Sequence, residues 1–355
     1  MNVGWPGTSR RTPIGIDASG RFINAVQLGG SSRKWRVEAA ASIPRADSTV
    51  PLDVDETTRM VEVLERQGFR GHEVILAMPN DLLLTKVLEL PPATPPGPIP
   101  QIARVQLAAA HKCDAQTLEV ACWNVPKPTR VKAATCVLAV AAKHDEANGL
   151  IDIFEAAGMV VRALDVHSWA VARACQPLLT GTSPSAAVLR LGWTTADLVV
   201  LCGGVVVYER ALAEYGLNRL HMLLTGKFDL DREVTDYIVR EMGLRCDLPG
   251  NEARAGLLKA VRSFTIRYFN RMLSELRLSL AYAVQEFAEG SVDRLLIHGE
   301  GASIPGLAAH LSSELDMEVR TFAPTDVAEC GPSVRDVCAL PALSTAVGLA
   351  QHPRE

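Results

Sequence analysis

The sequence predicts an α/β chain built from two related halves, with a small α+β subdomain inserted into the first. Three observations predict it. A strand, a tight turn and a returning strand occur near Asp17 and recur after Ser185. Extended runs alternate with runs of helical period, and a proline-rich stretch at 91–100 leads into a separate group of extended segments.

Ile14 to Asp17 and Phe22 to Leu28 are apolar runs flanking Ala18-Ser19-Gly20-Arg21, which reads as a hairpin with Asp17 at a strand end. Val74 to Met78 reads as a short buried strand and Leu82 to Leu90 as a further extended run, both expected in one sheet. Pro91 to Pro100 is a connector, because proline lacks an N–H and fixes φ. Ile102 to His111 has helical spacing, and Thr117 to Val125 and Thr135 to Ala142 read as strands around the polar turn Pro126 to Arg130. Asp145 to Ala157 is a predicted helix ending at Gly158, a residue suited to a left-handed cap, and Val160 to Val166 returns to extended structure. That is a strand-helix-strand unit.

In the second half Ala186 to Leu191, Asp197 to Leu201 and Val205 to Glu209 read as three strands, the last two joined at Gly203-Gly204. Val261, Phe264, Tyr268, Met272, Leu276, Leu280, Val284 and Phe287 form a continuous apolar stripe, so Leu257 to Glu289 reads as one long amphipathic helix. Arg262, Arg267, Arg271 and Arg277 fall off that stripe and read as a solvated face, with a partner-binding face as the alternative. Arg294 to His298 is a strand, followed by Gly299-Glu300-Gly301-Ala302 and a helical stretch, Leu307 to Leu315.

Composition excludes several functions. Lys and Arg number 36 against 40 Asp and Glu, and the basic residues are scattered, so the clustered positive field that nucleic acid requires is missing. The eight cysteines form no CxxC pair or zinc spacing, and read as reduced, mostly buried residues. Met1 to Arg11 contains no continuous apolar run and no segment is long enough to span a bilayer, so the expected location is the cytoplasm. GxSxG, HExxH and Walker A motifs do not occur. His167 and His298 read as satisfied core or surface residues rather than acid-base groups, and no catalytic residue is assigned. Asp17 by itself reads as a residue that hydrogen-bonds its own turn.

The order of these elements resembles the actin-like ATPases, and within them the PilM family of type IV pilus assembly. The resemblance rests on Gly15-Ile16-Asp17 with Ala25 to Leu28, on Ala77-Met78-Pro79 leading to Thr85 to Pro91, and on Glu155 to Gly158 leading to Ala163 to Val166. Asp293 to Leu296, Gly299 to Leu307 and Ala342 to Ala350 complete it. It implies an actin-like (ribonuclease H-like) fold of duplicated domains around a central cleft. The first half would span 12–184, with the inserted subdomain at about 88–165. The second half would span 185–340, with a helical subdomain at about 216–290, and 341–355 would return to the first half.

The resemblance also implies a nucleotide site of two phosphate hairpins and a glycine-rich adenosine turn, with ATP and Mg²⁺ as cofactors. Glycines let backbone N–H groups approach phosphate closely, and acidic residues hold hydrated Mg²⁺. The corresponding site positions are Asp17, Ser19, Gly20 and Asn24 in the first hairpin, with Asp17 also the expected metal ligand. Gly192, Thr194 and Thr195 match in the second hairpin, Glu275 and Ser279 in the long helix, and Gly299, Gly301 and Ala302 in the adenosine turn. Five positions depart from the pattern. Ser19 replaces a glycine, Asn24 a lysine, Arg190 an aspartate, Glu300 the middle glycine and Leu278 a basic residue. ATP and Mg²⁺ binding are therefore expected to be weak or lost, although the Arg190 guanidinium offers a direct grip on phosphate.

The expected function is that of a cytoplasmic scaffold in a type IV pilus, or related type II secretion, inner-membrane platform. Its expected partner is the cytoplasmic tail of a PilN-like membrane protein, held in a groove walled by roughly Leu88 to Cys136. Other platform proteins and self-association are further contacts the resemblance allows. An active ATP-driven filament or switch is the alternative, and a small-molecule kinase a weaker one, since no acidic base for a substrate hydroxyl is identifiable.

Overall fold

The computed structural model describes residues 11–31, 34–90, 98–126, 135–179, 185–245, 252–287 and 292–353. The chain divides into two compact units. One comprises Met1–Ala77, Ile151–Leu178 and Ala323–Glu355, and the other Met78–Leu150 and Leu179–Phe322.

The chain begins with an antiparallel meander, β1 (Ile14–Asp17), β2 (Phe22–Ser31) and β3 (Lys34–Pro44), in which all four β1 residues are buried. Helix α1 (Val54–Arg66), capped by the Asp53 carboxylate, leads to β4 (Glu73–Ala77), which pairs with β1 in parallel. The chain then enters a separate three-stranded sheet. It consists of β5 (Leu84–Leu90), β6 (Leu118–Val125) and β7 (Thr135–Lys143), in the order β5-β7-β6, with α2 (Ile99–His111) packed on Leu88, Leu118, Val137 and Ala139. Helix α3 (His144–Ala156) leads to β8 (Val160–Asp165), which pairs with β4, and α4 (His167–Cys175) follows.

The second unit repeats the pattern. Strands β9 (Ser185–Leu191), β10 (Ala196–Cys202) and β11 (Val205–Leu212) form a meander followed by α5 (Leu217–Phe228), α6 (Arg232–Tyr237) and the 36-residue α7 (Glu252–Phe287). Strand β12 (Arg294–His298), α8 (Leu307–Leu315) and β13 (Glu318–Thr321) complete a sheet ordered β11-β10-β9-β12-β13. Helix α9 (Pro324–Val327), β14 (Glu329–Cys330), α10 (Arg335–Cys338) and α11 (Ser344–Ala350) return to the first unit, whose sheet runs β14-β3-β2-β1-β4-β8. Leaving out β14, both sheets are a three-strand meander followed by two parallel strands. This is a duplication of topology.

Two glycines explain how α11 docks. A Cβ on Gly15 would overlap the Ala346 carbonyl oxygen, and one on Gly348 would overlap that of Ala170 in α4. Backbone therefore lies on backbone, a spacing only glycine permits. In the second unit Val261, Tyr268, Met272, Leu276, Leu280 and Phe287 of α7 enter the core with β9, β10 and β12, as their helical spacing predicts.

Several expectations need correction. The strands near 74 and 82 belong to different sheets, because β5 pairs with β7 alone and β4 with β1 and β8. The strand-helix-strand unit likewise joins two sheets, and β8, expected within the inserted subdomain, lies in the first sheet. The inserted sheet groups with the second unit, where β6 lies against β11. Helix α2 begins three residues before Ile102 and contains Pro100, since a proline in the first turn has no intrahelical N–H to lose. Two of the four α7 arginines are more than a solvated face. Arg262 Nε donates to the Leu244 carbonyl at 2.7 Å, and Arg277 pairs with Glu314 at 3.5 Å. Residues 91–97 of the proline connector and 127–130 of the polar turn lie outside the described residues.

The seven described cysteines are free thiols. Cys136, Cys175 and Cys338 are buried, whereas Cys113, Cys122, Cys202 and Cys330 are only half-buried, a more exposed set than the sequence suggests. No helix among the described residues is long and apolar enough to cross a membrane. No group of three or more His, Cys, Asp or Glu among them is placed to hold a metal ion.

Candidate functional site

In the first hairpin the turn folds onto Asp17. The Asp17 Oδ1 accepts the Ser19 backbone N–H at 3.0 Å and the Ser19 hydroxyl at 2.6 Å, an arrangement that closes the turn locally. The first residue of α4 reaches the same atoms. His167 Nε2 lies 3.2 Å from Asp17 Oδ1 and 3.2 Å from Ser19 Oγ, because β8 and β4 carry the start of α4 to the end of β1 at which Asp17 sits. Asp17 and His167 are both about 95% buried, being 5% and 4% exposed, and His167 Nδ1 has no hydrogen-bond partner among the described residues. Gly20 is half-buried in the turn. Asn24 is paired across the sheet with Asp17, and its Oδ1 accepts the Ser42 hydroxyl at 2.8 Å. Beside this cluster the Arg173 guanidinium pairs with Asp165 and donates to the Gly348 carbonyl at 3.0 Å, tying β8, α4 and α11 together.

The second hairpin is closed by an ion pair. Arg190 and Asp197 are directly opposite in the β9–β10 register, and Arg190 Nε donates to Asp197 Oδ2 at 2.8 Å. The Thr195 hydroxyl donates to the same oxygen at 3.0 Å. Both charged residues are 8% exposed, so the pair sits in a medium where each charge needs the other. The turn itself rests on the start of α5. Leu217 N–H donates to the Gly192 carbonyl at 3.0 Å and Asn218 N–H to the Trp193 carbonyl at 2.8 Å. Helix N-terminal amides are a ready anion site when open. Here the turn's own carbonyls occupy two of them. Thr194 is exposed at the turn and Gly192 is buried.

The glycine turn after β12 lies against this hairpin. Gly299 has φ +85°, a conformation that favours glycine, and a Cβ there would lie 2.7 Å from the Leu191 carbonyl oxygen. A Cβ on Gly301 would lie 2.8 Å from that of Leu191. Ala302 is buried, its N–H bonded to the Gly299 carbonyl at 3.2 Å, and Glu300 is half-buried. The structure thus brings Gly192 and Thr195 together with Gly299 and Gly301.

Glu275 and Ser279, one turn apart on α7, converge on a residue of β11. Arg210 donates to Glu275 Oε2 at 2.9 Å and to Ser279 Oγ at 2.8 Å, while the Tyr215 hydroxyl donates to Glu275 Oε1 at 3.1 Å. Burial, then the hydrogen bond to Glu275, raises the Tyr215 pKa and keeps its proton in place. Leu278 is 70% exposed.

A family model described as type IV pilus assembly protein PilM matches residues 15–353. The chain belongs to the PilM family. Among solved structures its fold is similar to that of a PilM-PilN type IV pilus biogenesis complex, with a TM-score of 0.74 and 18% identity over 96% of this chain and 98% of that one. It is also similar to the ethanolamine utilization protein EutJ from Carboxydothermus hydrogenoformans, with a TM-score of 0.53 and 15% identity over 99% of this chain and 92% of that one. At these identities the likeness establishes the fold, which is the actin-like one. A search of curated proteins finds no match.

For this PilM-family chain, sequence reasoning placed the hairpins and the glycine turn but missed three side chains. His167 reads as an isolated histidine because its partners Asp17 and Ser19 are 150 and 148 residues away. Arg210 carries no signal in β11 beyond its charge. Asp197 was detectable. With Arg190 it flanks a four-residue turn, and opposite charges at facing positions of a hairpin attract.

Proposed function

We propose that this protein is a scaffold of a type IV pilus assembly platform, peripheral to the inner membrane, that holds the cytoplasmic tail of a PilN-like membrane protein. The observation that carries the reading is the PilM family match over nearly the whole chain. The similarity in fold to a PilM-PilN complex supports it. The inserted sheet is where the tail would bind, along a wall of roughly Leu88 to Cys136. Among the described residues β5 and β6 each pair with β7 alone, so each presents one edge of N–H and C=O groups. An extended tail gains main-chain hydrogen bonds on such an edge, with side chains in alternate pockets for specificity.

The same reading takes the chain to work by binding, with its nucleotide site closed. A hydrated Mg²⁺ needs anionic oxygens that are not already neutralised. Asp17 is held by Ser19 and His167, and Asp197 by Arg190 and Thr195. Arg190 spends its Nε on Asp197, which argues against a metal-free grip on phosphate. Glu300 adds a negative charge at the glycine turn, where the phosphates of a nucleotide would be repelled. These residues do not fit a magnesium nucleotide.

Calorimetric titration of the full chain with a synthetic peptide of the PilN-like tail, with and without Mg²⁺-ATP, tests the proposal. Saturable one-to-one binding that nucleotide leaves unchanged is the expected result. Absence of tail binding would overturn the scaffold reading, and tail binding that appears only with Mg²⁺-ATP would establish a nucleotide-driven switch in its place.

A further inference from the structure

Helices α5 and α7 pack together in the second unit, and the face they share with solvent is basic. Helix α5 contains no Asp or Glu, and α7 contains none between Glu252 and Glu275, in a chain whose acidic residues outnumber its basic ones. Ring contacts fix one end of the face. Phe228, the last residue of α5, meets Phe264 of α7 edge-on at 6.1 Å between centroids. Lys227 Nζ and the Arg267 guanidinium lie over the same Phe264 ring at 5.4 and 5.9 Å, where its π-face attracts cations. Hydrogen bonds fix the other end. The Tyr268 hydroxyl donates to the Gly216 carbonyl at 2.8 Å and the Tyr215 hydroxyl to Glu275 at 3.1 Å, so α5 starts beside the turn of α7 that carries Arg271. Arg219 stands in that first turn of α5.

Arg219, Lys227, Arg267 and Arg271 are all exposed, and none makes an ion pair among the described residues. Arg267 and Arg271 are thus the two α7 arginines left over once Arg262 and Arg277 are engaged. Glu214 before α5 and Asp229 at its C-cap are the acidic residues at the ends of that helix, and neither pairs with the four. Helix α6 holds Glu233 and Asp236 but meets α5 through Thr225, whose hydroxyl lies 3.2 Å from that of Thr235. Thr225 is about 200° of helical turn from Lys227, on the opposite flank of α5. Like charges gathered on two packed helices repel one another, a cost that an anionic partner removes.

We propose that the α5–α7 face docks directly on the anionic phospholipid headgroups of a membrane. The cations are spread along two helices rather than converged on one point, so a plane of phosphates can meet them all. Long Lys and Arg stems reach such a plane while their bodies lie along apolar surface. Two exposed apolar side chains supply that surface, Met222 one turn after Arg219 and Leu257 two turns before Phe264 on the same side of α7. Nothing lies within 4 Å of a Cβ on Gly226, so the surface between Met222 and Lys227 is open. This contact is separate from the tail site on the inserted sheet and does not depend on it.

The test is flotation of the full chain with vesicles of phosphatidylglycerol and phosphatidylcholine in equal parts, and with phosphatidylcholine alone, no tail peptide being present. The natural chain is expected to float with the anionic vesicles and not with the neutral ones, and to be released as salt rises from about 0.1 to about 0.5 M. Lys227→Gln combined with Arg267→Gln should weaken partitioning at least about tenfold. Arg59→Gln combined with Arg66→Gln on the exposed face of α1 removes the same charge and should leave it unchanged. A natural chain that floats with both vesicles or with neither overturns the proposal, as does a Lys227/Arg267 variant that floats as well as the natural chain. Binding to polyglutamate without binding to vesicles would assign the face to an acidic polypeptide and overturn it too. The vesicle comparison uses the unaltered chain, so it decides even where a variant fails to fold. Tail binding plays no part in it, so failure here leaves the scaffold reading standing.

Discussion

At Arg190 and Asp197 the chain buries two opposite charges at facing positions of one hairpin. Removing one partner strands the other in a poorly solvated site, which costs more than the pair is worth. Asp197→Ala should therefore lower stability by about 3–5 kcal/mol in denaturant titrations, while Arg190→Leu combined with Asp197→Leu should recover most of the loss. A single-variant loss under about 1 kcal/mol would mean that water, not Asp197, solvates the arginine. Arg190→Asp reverses the logic by placing two carboxylates opposite each other. That variant should be destabilised in a chelator and partly restored by millimolar Mg²⁺, read as a rise in thermal midpoint that the natural protein does not show. Combined with Glu300→Gly it should gain Mg²⁺-ATP binding by calorimetry. Tight Mg²⁺-ATP binding by the natural protein would refute the closed-site reading.

At the scale of elements, the docking of α11 depends on two glycines rather than on large side chains. A Cβ at 348 collides with the backbone of α4, which has no rotamer through which to move aside. Gly348→Ala is expected to cost about 3 kcal/mol, the upper end of what overpacking costs, measured as a lowered thermal midpoint. Gly149→Ala in α3 is the control. Nothing lies within 4 Å of a Cβ there, so helix propensity alone acts and stability should rise by about 0.5–1 kcal/mol. The elements most legible in the sequence share one trait, which is local closure. Strands β1 and β12 and helix α8 have the predicted bounds, each ending at a polar or glycine turn. The start of α2 was misplaced because Pro100 was read as a helix breaker, although its position in the first turn makes it harmless.

At the scale of the whole molecule, strand pairing follows the sequence reading where the chain pairs with its near neighbours and departs from it where distant segments meet. Both meanders, β1-β2-β3 and β9-β10-β11, join consecutive strands and could be read from turns and alternation. The parallel pairings of β1 with β4, β4 with β8 and β9 with β12 join strands separated by a crossover, which local periodicity does not specify. For that reason β5 was expected beside β4, and the inserted sheet with the first half. The sequence alone determined the hairpins, the glycine turn, the long amphipathic helix and the family, because each is written in residues close together or in the order of such groups along the chain. Only the tertiary structure decided which side chains meet at the candidate site. His167 meets Asp17 across 150 residues and Arg210 meets Glu275 across 65, and hydrogen bonds form through space at about 3 Å, a distance that sequence separation does not encode.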